Sequence, residues 1–372
     1  MARKKEATVT LDRVMQSANK NYGAGTIFHG SSLLKDPPRI PFGVFAVDFA
    51  IGGGLPLHGT SCLWGGESSG KSSLCLSCMA AAGNLCWRCF NHIELCSCSL
   101  SPLRMKAAWE DVEGTLDRGW ASDVGNDPDK YVVVLAESGE QYVNIADSIL
   151  KADDLGLLVI DSLGMLTPLA ELEGDAEDQF IGLQSRLITR MIRKLKTRLI
   201  LERKRGHPCL VLFTNQMRSK IGVMFGSPET MSGGHSARHD FSLLLRCSQK
   251  ALQKNERDRY LAASREKQCA VRHAFSIRKQ KVMTLAGTGE YVRVIEPIPD
   301  LELSAGDVDD THTLMKYARE YGVVKKEGKD WMYFSHKARV LDNVSNLWKT
   351  NPVQKFRASA EVLKRAKKQV RG

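Results

Sequence analysis

The stretch Gly65-Gly66-Glu67-Ser68-Ser69-Gly70-Lys71-Ser72 constrains this chain more than any other. In Gly-x-x-x-x-Gly-Lys-Ser, consecutive backbone N–H groups wrap phosphates at a helix N-terminus, and the glycines keep side chains out of the wrap. That geometry requires a strand before the loop and a helix after it. Ser61-Cys62-Leu63-Trp64 is a short apolar run, and Ser72 to Ala82 reads as a helix. The expected ligand is a nucleoside triphosphate, ATP with Mg²⁺. Lys71 should reach the β/γ-phosphates, and the Ser72 hydroxyl should ligate the Mg²⁺.

The rest of the pattern supplies a sheet for this loop. Tyr131 to Ala136, Leu157 to Ile160 and Cys209 to Phe213 are continuous apolar runs of strand length, as in a parallel sheet covered on both faces. Leu183 to Arg205 is an amphipathic helix with Leu187, Met191, Leu195 and Leu199 on one side. Arg186, Arg190, Arg193, Lys194 and Arg198 form the opposite side. Alternating strands and helices argue for a doubly wound α/β fold with a mostly parallel, twisted sheet. Ahead of it, Leu11 to Asn21 reads as a short helix with Leu11, Val14, Met15 and Ala18 on one face, and Asp36-Pro37-Pro38 ends a linker. Pro297 and Pro299 close the core pattern. Three regions are expected: 1–35, 36–300 with a cysteine-rich insertion at about 84–104, and a small basic C-terminal domain at 301–372. Thr311 to Tyr321 and Gln354 to Val370 are the best helices of that last region.

Charge narrows the partners. The chain of 372 residues carries a net charge of +11, unevenly spread. Lys254 to Lys281 holds nine Lys/Arg against three acids, and Val353 to Gly372 holds seven against one. Such clusters suit a polyanion, because each neutralised phosphate releases counterions. No apolar run is long enough to span a membrane, and the N-terminus is polar, so a cytoplasmic protein is expected.

Acidic residues supply the candidate chemistry. Asp161 ends the apolar run Leu157-Leu158-Val159-Ile160, about 90 residues after the phosphate loop, where a carboxylate can hold the metal's water shell. Glu110, Asp111, Glu113 and Asp117 each offer a group to activate water, and spacing does not choose among them. Cys86, Cys89, Cys96 and Cys98 fall within 13 residues, which reads as a tetrahedral, structural Zn²⁺ site, with His92 as a substitute ligand. The segment should form a hairpin protruding from the core. Cys75, Cys78, Cys62, Cys209 and Cys247 read as packed core residues.

At Lys220-Ile221-Gly222-Val223-Met224-Phe225-Gly226-Ser227-Pro228-Glu229-Thr230 the sequence resembles the bacterial RecA recombinases and their phage relatives. The likeness extends to Gly66-Glu67-Ser68-Ser69-Gly70-Lys71-Ser72-Ser73 and to Asp48–Pro56 with its Gly-Gly-Gly-Leu-Pro. It also takes in Leu166-Thr167-Pro168, Glu171-Leu172-Glu173-Gly174 and Thr214-Asn215-Gln216. Only the cysteine segment stands outside it. The resemblance implies a RecA-type ATPase core and gives Glu113 the water-activating role and Asp161 the Walker B role. Gln216 would sense the γ-phosphate, Asp117 would contact adenine, and Trp120 would stack on the base where the family usually has tyrosine. Gly65 to Ser73 would hold the phosphates. Lys279 and Lys281 would reach a neighbouring subunit's ATP, and the N-terminal helix would serve polymerisation.

The resemblance also implies two DNA loops, Glu171 to Gly182 and Met217 to Gly234. The second carries Arg218, Lys220, Met224 and Phe225 and ends on Gly233 and Gly234, a cationic loop with an apolar wedge suited to unstacking bases. The first is acidic, so its contact would fall near Ile181 and Gly182. Arg186 and Arg193, seven residues apart on one helix face, would add backbone contacts. The basic ending departs from the acidic tail of many bacterial members. The implied function is a DNA-dependent ATPase that forms filaments on single-stranded DNA and exchanges strands with duplex DNA. Single-strand-binding or loader proteins would be its partners, in a bacterial or phage-infected cytoplasm. A hexameric helicase or branch-migration motor is the alternative, and a nucleotide-switched binder without turnover is a third reading.

Overall fold

The computed structural model describes residues 9–32, 37–175, 182–219, 229–232, 238–261, 268–281 and 283–371. A lone helix α1 (Leu11–Tyr22) precedes the short strands β1 (Arg39–Ile40) and β2 (Leu55–Pro56), which pair around α2 (Phe45–Ala50). Strand and helix then alternate: β3 (Thr60–Gly65), α3 (Lys71–Gly83), β4 (Lys106–Asp111), α4 (Arg118–Asp123), β5 (Tyr131–Val134), α5 (Gly139–Ile149) and β6 (Leu155–Asp161). Next come α6 (Leu169–Glu173), α7 (Leu183–Arg205), β7 (Leu210–Ser219), β8 (Glu229–Met231) and β9 (Leu243–Lys250). α8 (Lys254–Arg259), β10 (Ala270–Gln280) and β11 (Thr288–Val294) follow. The C-terminal part holds α9 (Thr311–Glu320), β12 (Val324–Glu327), β13 (Asp330–Tyr333), β14 (His336–Ala338), α10 (Leu341–Thr350) and α11 (Pro352–Arg371).

The main sheet runs β11-β10-β9-β3-β7-β6-β4-β5. From β9 to β5 all neighbours are parallel, while β10, β11 and β8 are antiparallel additions. The apolar runs of β3, β6 and β7 are continuous because both faces are covered. β5, at the sheet edge, instead leaves Val132 and Val133 exposed, so the run from Tyr131 is not covered as expected. Leu63, Trp109, Leu157, Val159, Leu210 and Leu212 point into one core with α3. Their alternates Cys62, Trp64, Ala108, Leu158, Ile160, Val211 and Phe213 point into a second core with α5 and α7.

The helix read over Leu183 to Arg205 forms with those bounds, and Leu187, Met191, Leu195 and Leu199 are buried. Its basic side is less uniform than expected. Arg198 pairs with Asp147 of α5 at 2.8 Å, and Lys194 donates to Asn144 at 2.8 Å. Arg186, Arg190 and Arg193 remain exposed. α1 buries none of its residues, and Leu11 and Val14 face solvent.

The C-terminal part has its own antiparallel sheet, β12-β13-β14, and its own apolar cluster around Tyr333 and Trp348. Phe45 and Phe49 of α2 belong to that cluster, and the Phe49 and Tyr317 rings lie 4.2 Å apart. Asp310, which pairs with Lys355 of α11 at 2.5 Å, also accepts from the Phe45 N–H of α2 at 2.7 Å. The region after Pro299 is therefore packed onto the core through α2.

Candidate nucleotide site and its surroundings

β3 is buried throughout and ends at Gly65, so the phosphate loop opens at the C-terminal edge of the sheet. Gly70 adopts φ +83° and caps α3. A Cβ there would lie 2.7 Å from the His273 ring, so the position requires glycine on two counts. His273, on β10, supports the loop from beneath. Burial, helped by the Arg293 charge, pulls its pKa down to about 4 against a hydrogen bond with the Ser69 backbone, so the ring is neutral. Lys71 Nζ donates to the Gly66 carbonyl at 2.7 Å, and the Ser69 hydroxyl donates to the same carbonyl at 2.8 Å. Glu67, Ser68 and Ser72 are exposed on the open side of the loop.

Strand register brings the acids to this edge. Gly65 is paired with Gln216, and Asp111 with Asp161. Asp161 is 4% exposed and accepts hydrogen bonds from the Ser72 and Thr214 hydroxyls. Burial raises its pKa, the hydroxyls of Ser72 and Thr214 oppose the rise, and the Glu113 charge adds to it.

The structure separates the four acids that spacing left open. Glu110 is fully buried, neither of its oxygens has a hydrogen-bond partner, and burial pushes its pKa up to about 9. Asp111 accepts from the Thr115 and Leu116 N–H groups at 3.1 and 3.0 Å and so holds the turn after β4. Asp117 caps α4 through the Trp120 N–H at 3.1 Å. Glu113 alone of the four is half-buried with its carboxylate joined to groups of the loop edge: the Ser162 hydroxyl at 2.6 Å and the Gln216 amide at 3.0 Å. Trp120 is half-buried, and its indole N–H donates to the Ser73 hydroxyl at 3.0 Å on the first turn of α3. Sequence reasoning had not singled out His273, Ser162 or Thr214. Ser162 follows Asp161 directly and Thr214 opens Thr214-Asn215-Gln216, whereas His273 is about 200 residues from Gly70 and carries no local signal.

Lys279 and Lys281 lie elsewhere. β10 is antiparallel to β9, and Gln280 pairs with Leu243, which in turn pairs with Ser61 at the start of β3. Both lysines thus stand at the edge of the sheet opposite the phosphate loop. Lys279 Nζ donates to the carbonyls of Arg238 and His239, and Lys281 is exposed.

Of the expected DNA residues, Gly182 is the left-handed N-cap of α7, with Arg186 and Arg193 exposed on that helix. β7 and β8 form an antiparallel ribbon through Met217 and Met231, with Arg218 in β7. Ile181, Lys220, Met224, Phe225, Gly233 and Gly234 lie outside the described residues. The basic stretch from Lys254 to Lys281 is partly neutralised within the fold. Arg272 pairs with Glu256 and Glu290, and Arg259 pairs with Asp309. These arginines are therefore not a free cationic surface.

The four cysteine sulfurs Cys86, Cys89, Cys96 and Cys98 all lie within 4.8 Å of one another and could hold one metal ion. His92 is not among them. Its Nδ1 accepts from the Glu94 N–H at 3.4 Å, and its ring faces Phe356 of α11. Burial works against the Cys86 thiolate, but N–H groups of Cys89, Arg88 and Leu103 outweigh it and bring the thiol down to about 6. The root of the segment does not protrude. Trp87 is 2% exposed, seated where Gly156 leaves room, since a Cβ on Gly156 would come within 2.6 Å of its ring.

A parallel sheet with this loop at the C-terminal end of a central strand defines an α/β core of the phosphate-loop class. The chain belongs to the RecA family: residues 96–289 match the RecA N-terminal domain. It is 36% identical to Protein RecA of Citrifermentans bemidjiense over 241 residues, which is 64% of each chain. It is 36% identical to Protein RecA of Mycobacterium avium over 233 residues, 61% of this chain and 59% of that one. With Protein RecA of Haemophilus ducreyi the identity is 34% over 237 residues, 63% of this chain and 58% of the relative. The match thus spans less than two thirds of the length of each relative. Among the described residues, no helix is long and apolar enough to cross a membrane.

Proposed function

We propose that this chain is a DNA-dependent ATPase that polymerises on single-stranded DNA and carries out homologous pairing and strand exchange. The observation that carries this reading is the Gln216–Glu113 hydrogen bond of 3.0 Å. It joins the acid beside the phosphate loop to the strand that leads into the loop from Met217 to Gly234.

Bound ATP with Mg²⁺ supplies a scissile phosphoanhydride and a cation that offsets charge as the bond breaks. Loop N–H groups from Gly65 to Ser73 and Lys71 hold the phosphates, and Ser72 with Asp161 holds the cation. Glu113 orients a water molecule and takes its proton. Gln216 reports the state of that site along β7 to the DNA loop, where Arg218, Lys220, Met224 and Phe225 engage the strand, aided by Ile181, Gly182, Gly233, Gly234, Arg186 and Arg193. Asp117 and Trp120 flank the base. The four cysteines add a structural Zn²⁺.

Self-assembly is supported by three features. Lys279 and Lys281 stand at the edge of the sheet away from their own phosphate loop, so the ATP they reach would be a neighbour's. α1 exposes Leu11, Val14 and Tyr22, and edge strand β5 exposes Val132 and Val133. Unpaired apolar surfaces of this kind are surfaces for another subunit.

ATP turnover is expected to rise at least about tenfold on adding single-stranded DNA, and a rate indifferent to DNA would sink the reading. Electron microscopy with an ATP analogue and single-stranded DNA should show helical filaments. Closed rings would point to a hexameric motor instead. The basic ending adds a further expectation. Lys364→Gln/Lys368→Gln removes two charges from the exposed side of α11 and spares Ala358, Val362 and Ala366, which pack in the C-terminal cluster. Duplex binding should weaken and its dependence on salt should flatten. An unchanged slope in a salt titration would remove the tail from the DNA surface.

A further inference from the structure

Between α3 and β4 the chain runs for about 20 residues with little regular structure: one short turn at Ile93–Leu95 and an isolated bridge from Leu85 to His92. Local backbone bonds shape it, among them Cys86 N–H to the Asn91 carbonyl and Ile93 N–H to the Asn84 carbonyl, each 2.9 Å. An ion held by its side chains would fasten that shape. The Cys86–Cys89 turn is tight. The Phe90 N–H donates to the Cys86 carbonyl at 2.6 Å, and Phe90 adopts φ 57°. The sulfurs of Cys89 and Cys96 are 3.7 Å apart, and those of Cys86 and Cys98 are 4.0 Å apart. These separations far exceed the ~2.05 Å of a disulfide. They fit the edge of about 3.8 Å in a tetrahedron of sulfurs ~2.3 Å from zinc. Four thiolates select a thiophilic ion over Mg²⁺ or Ca²⁺, which take oxygen ligands.

The segment touches two bodies. On its inner side Trp87 is locked into the core, its indole N–H donating to the Ala82 carbonyl at 3.1 Å at the end of α3. On its outer side the His92 ring stands 5.7 Å from the ring of Phe356 on α11. Other apolar residues of α11, Ala358, Val362 and Ala366, pack in the C-terminal cluster. Phe356 instead packs, with Phe90, against the core cluster that holds Leu85, Trp87, Ile40 and Phe42. Phe356 is thus where α11 leaves its own cluster and meets the segment.

We propose that Cys86, Cys89, Cys96 and Cys98 hold one Zn²⁺ as a closed structural site, and that the fastened segment is a clasp seating α11 on the ATPase core. The clasp rests on zinc filling that site. It connects the C-terminal end of the phosphate-loop helix to the basic C-terminal helix without taking part in either's chemistry. Elemental analysis of the full chain, purified without chelator, should find about one zinc per chain. Hydrogen–deuterium exchange then compares the native chain with the double variant Cys96→Ser/Cys98→Ser and with Phe356→Ala. The double variant should lose zinc, and amides in 84–104 and 352–371 should exchange at least about tenfold faster while α7 is unchanged. Phe356→Ala should keep its zinc and speed exchange in 352–371 alone. Absence of stoichiometric zinc, or iron in its place, overturns the metal site. Zinc present with unchanged exchange in 352–371 for Phe356→Ala overturns the clasp and leaves the metal site standing. That single variant decides the clasp even where the double variant unfolds.

Discussion

Glu113→Gln is expected to lower ATP turnover by about 10²–10³-fold while nucleotide affinity changes by less than about threefold. The substitution is nearly isosteric. A glutamine at this position can still accept from the Ser162 hydroxyl, which lies 2.6 Å from Glu113 Oε1, so the loop edge should keep its shape. What is lost is a charged carboxylate able to take a proton from water. The groups proposed to hold the phosphates are elsewhere, on the loop and at Lys71. Steady-state hydrolysis and equilibrium binding of a fluorescent nucleotide separate the two effects. A variant retaining most of its turnover would move the role to another group. Gln216→Ala should behave differently. It breaks the 3.0 Å link to Glu113 and should reduce stimulation by DNA more than the basal rate.

Glu110→Gln should leave turnover intact and change how stability depends on pH. Glu110 is fully buried without a hydrogen-bond partner, and its pKa stands at about 9 against an ordinary 4.5. The folded chain therefore favours the protonated carboxyl. Its contribution to stability is full below pH 4.5 and is lost as pH rises towards 9. Over that range the loss approaches roughly 6 kcal/mol as an upper bound, since each tenfold change in proton affinity is about 1.4 kcal/mol. Glutamine cannot ionise and, like the protonated carboxyl, buries a neutral polar group, so its advantage over the native chain should grow by as much as about 5 kcal/mol from pH 5 to pH 9 and be small at pH 5. Urea unfolding midpoints at the two pH values test this. Parallel shifts at both pH values would mean that Glu110 is not the titrating group.

Much of the architecture was legible in the order of residues. The phosphate loop is recognisable because its chemistry is local: a strand, a run of backbone N–H groups, and a helix contained within about 20 residues. α7 was readable to its ends because its apolar side repeats with the helical period and Gly206 follows it. The sheet was readable because both faces of β3 and β6 are covered, which removes polar alternation from the strands. The resemblance at 220–230 pointed to the RecA family, and the match over 96–289 established it.

Other features depended on residues that meet only across the sheet. Four acids from Glu110 to Asp117 are equivalent as a list. Their surroundings differ because β4 places Glu110 in the core, while the turn after it delivers Glu113 to Ser162 and Gln216. His273 beneath Gly70, and Gly156 beneath Trp87, are close approaches between segments far apart in the chain. The basic stretch from Lys254 to Lys281 shows the same limit, since composition counts Arg259 and Arg272 as free cations and the fold pairs them with acids. The sequence by itself determined the phosphate loop, the two-sided core and the four-cysteine motif, because hydrophobic period and backbone chemistry act over a few residues. Only the tertiary structure decided which acid faces the phosphate-loop edge, which cations are neutralised and where the cysteine segment rests. Burial and charge pairing are set by strand register and packing between distant parts of the chain.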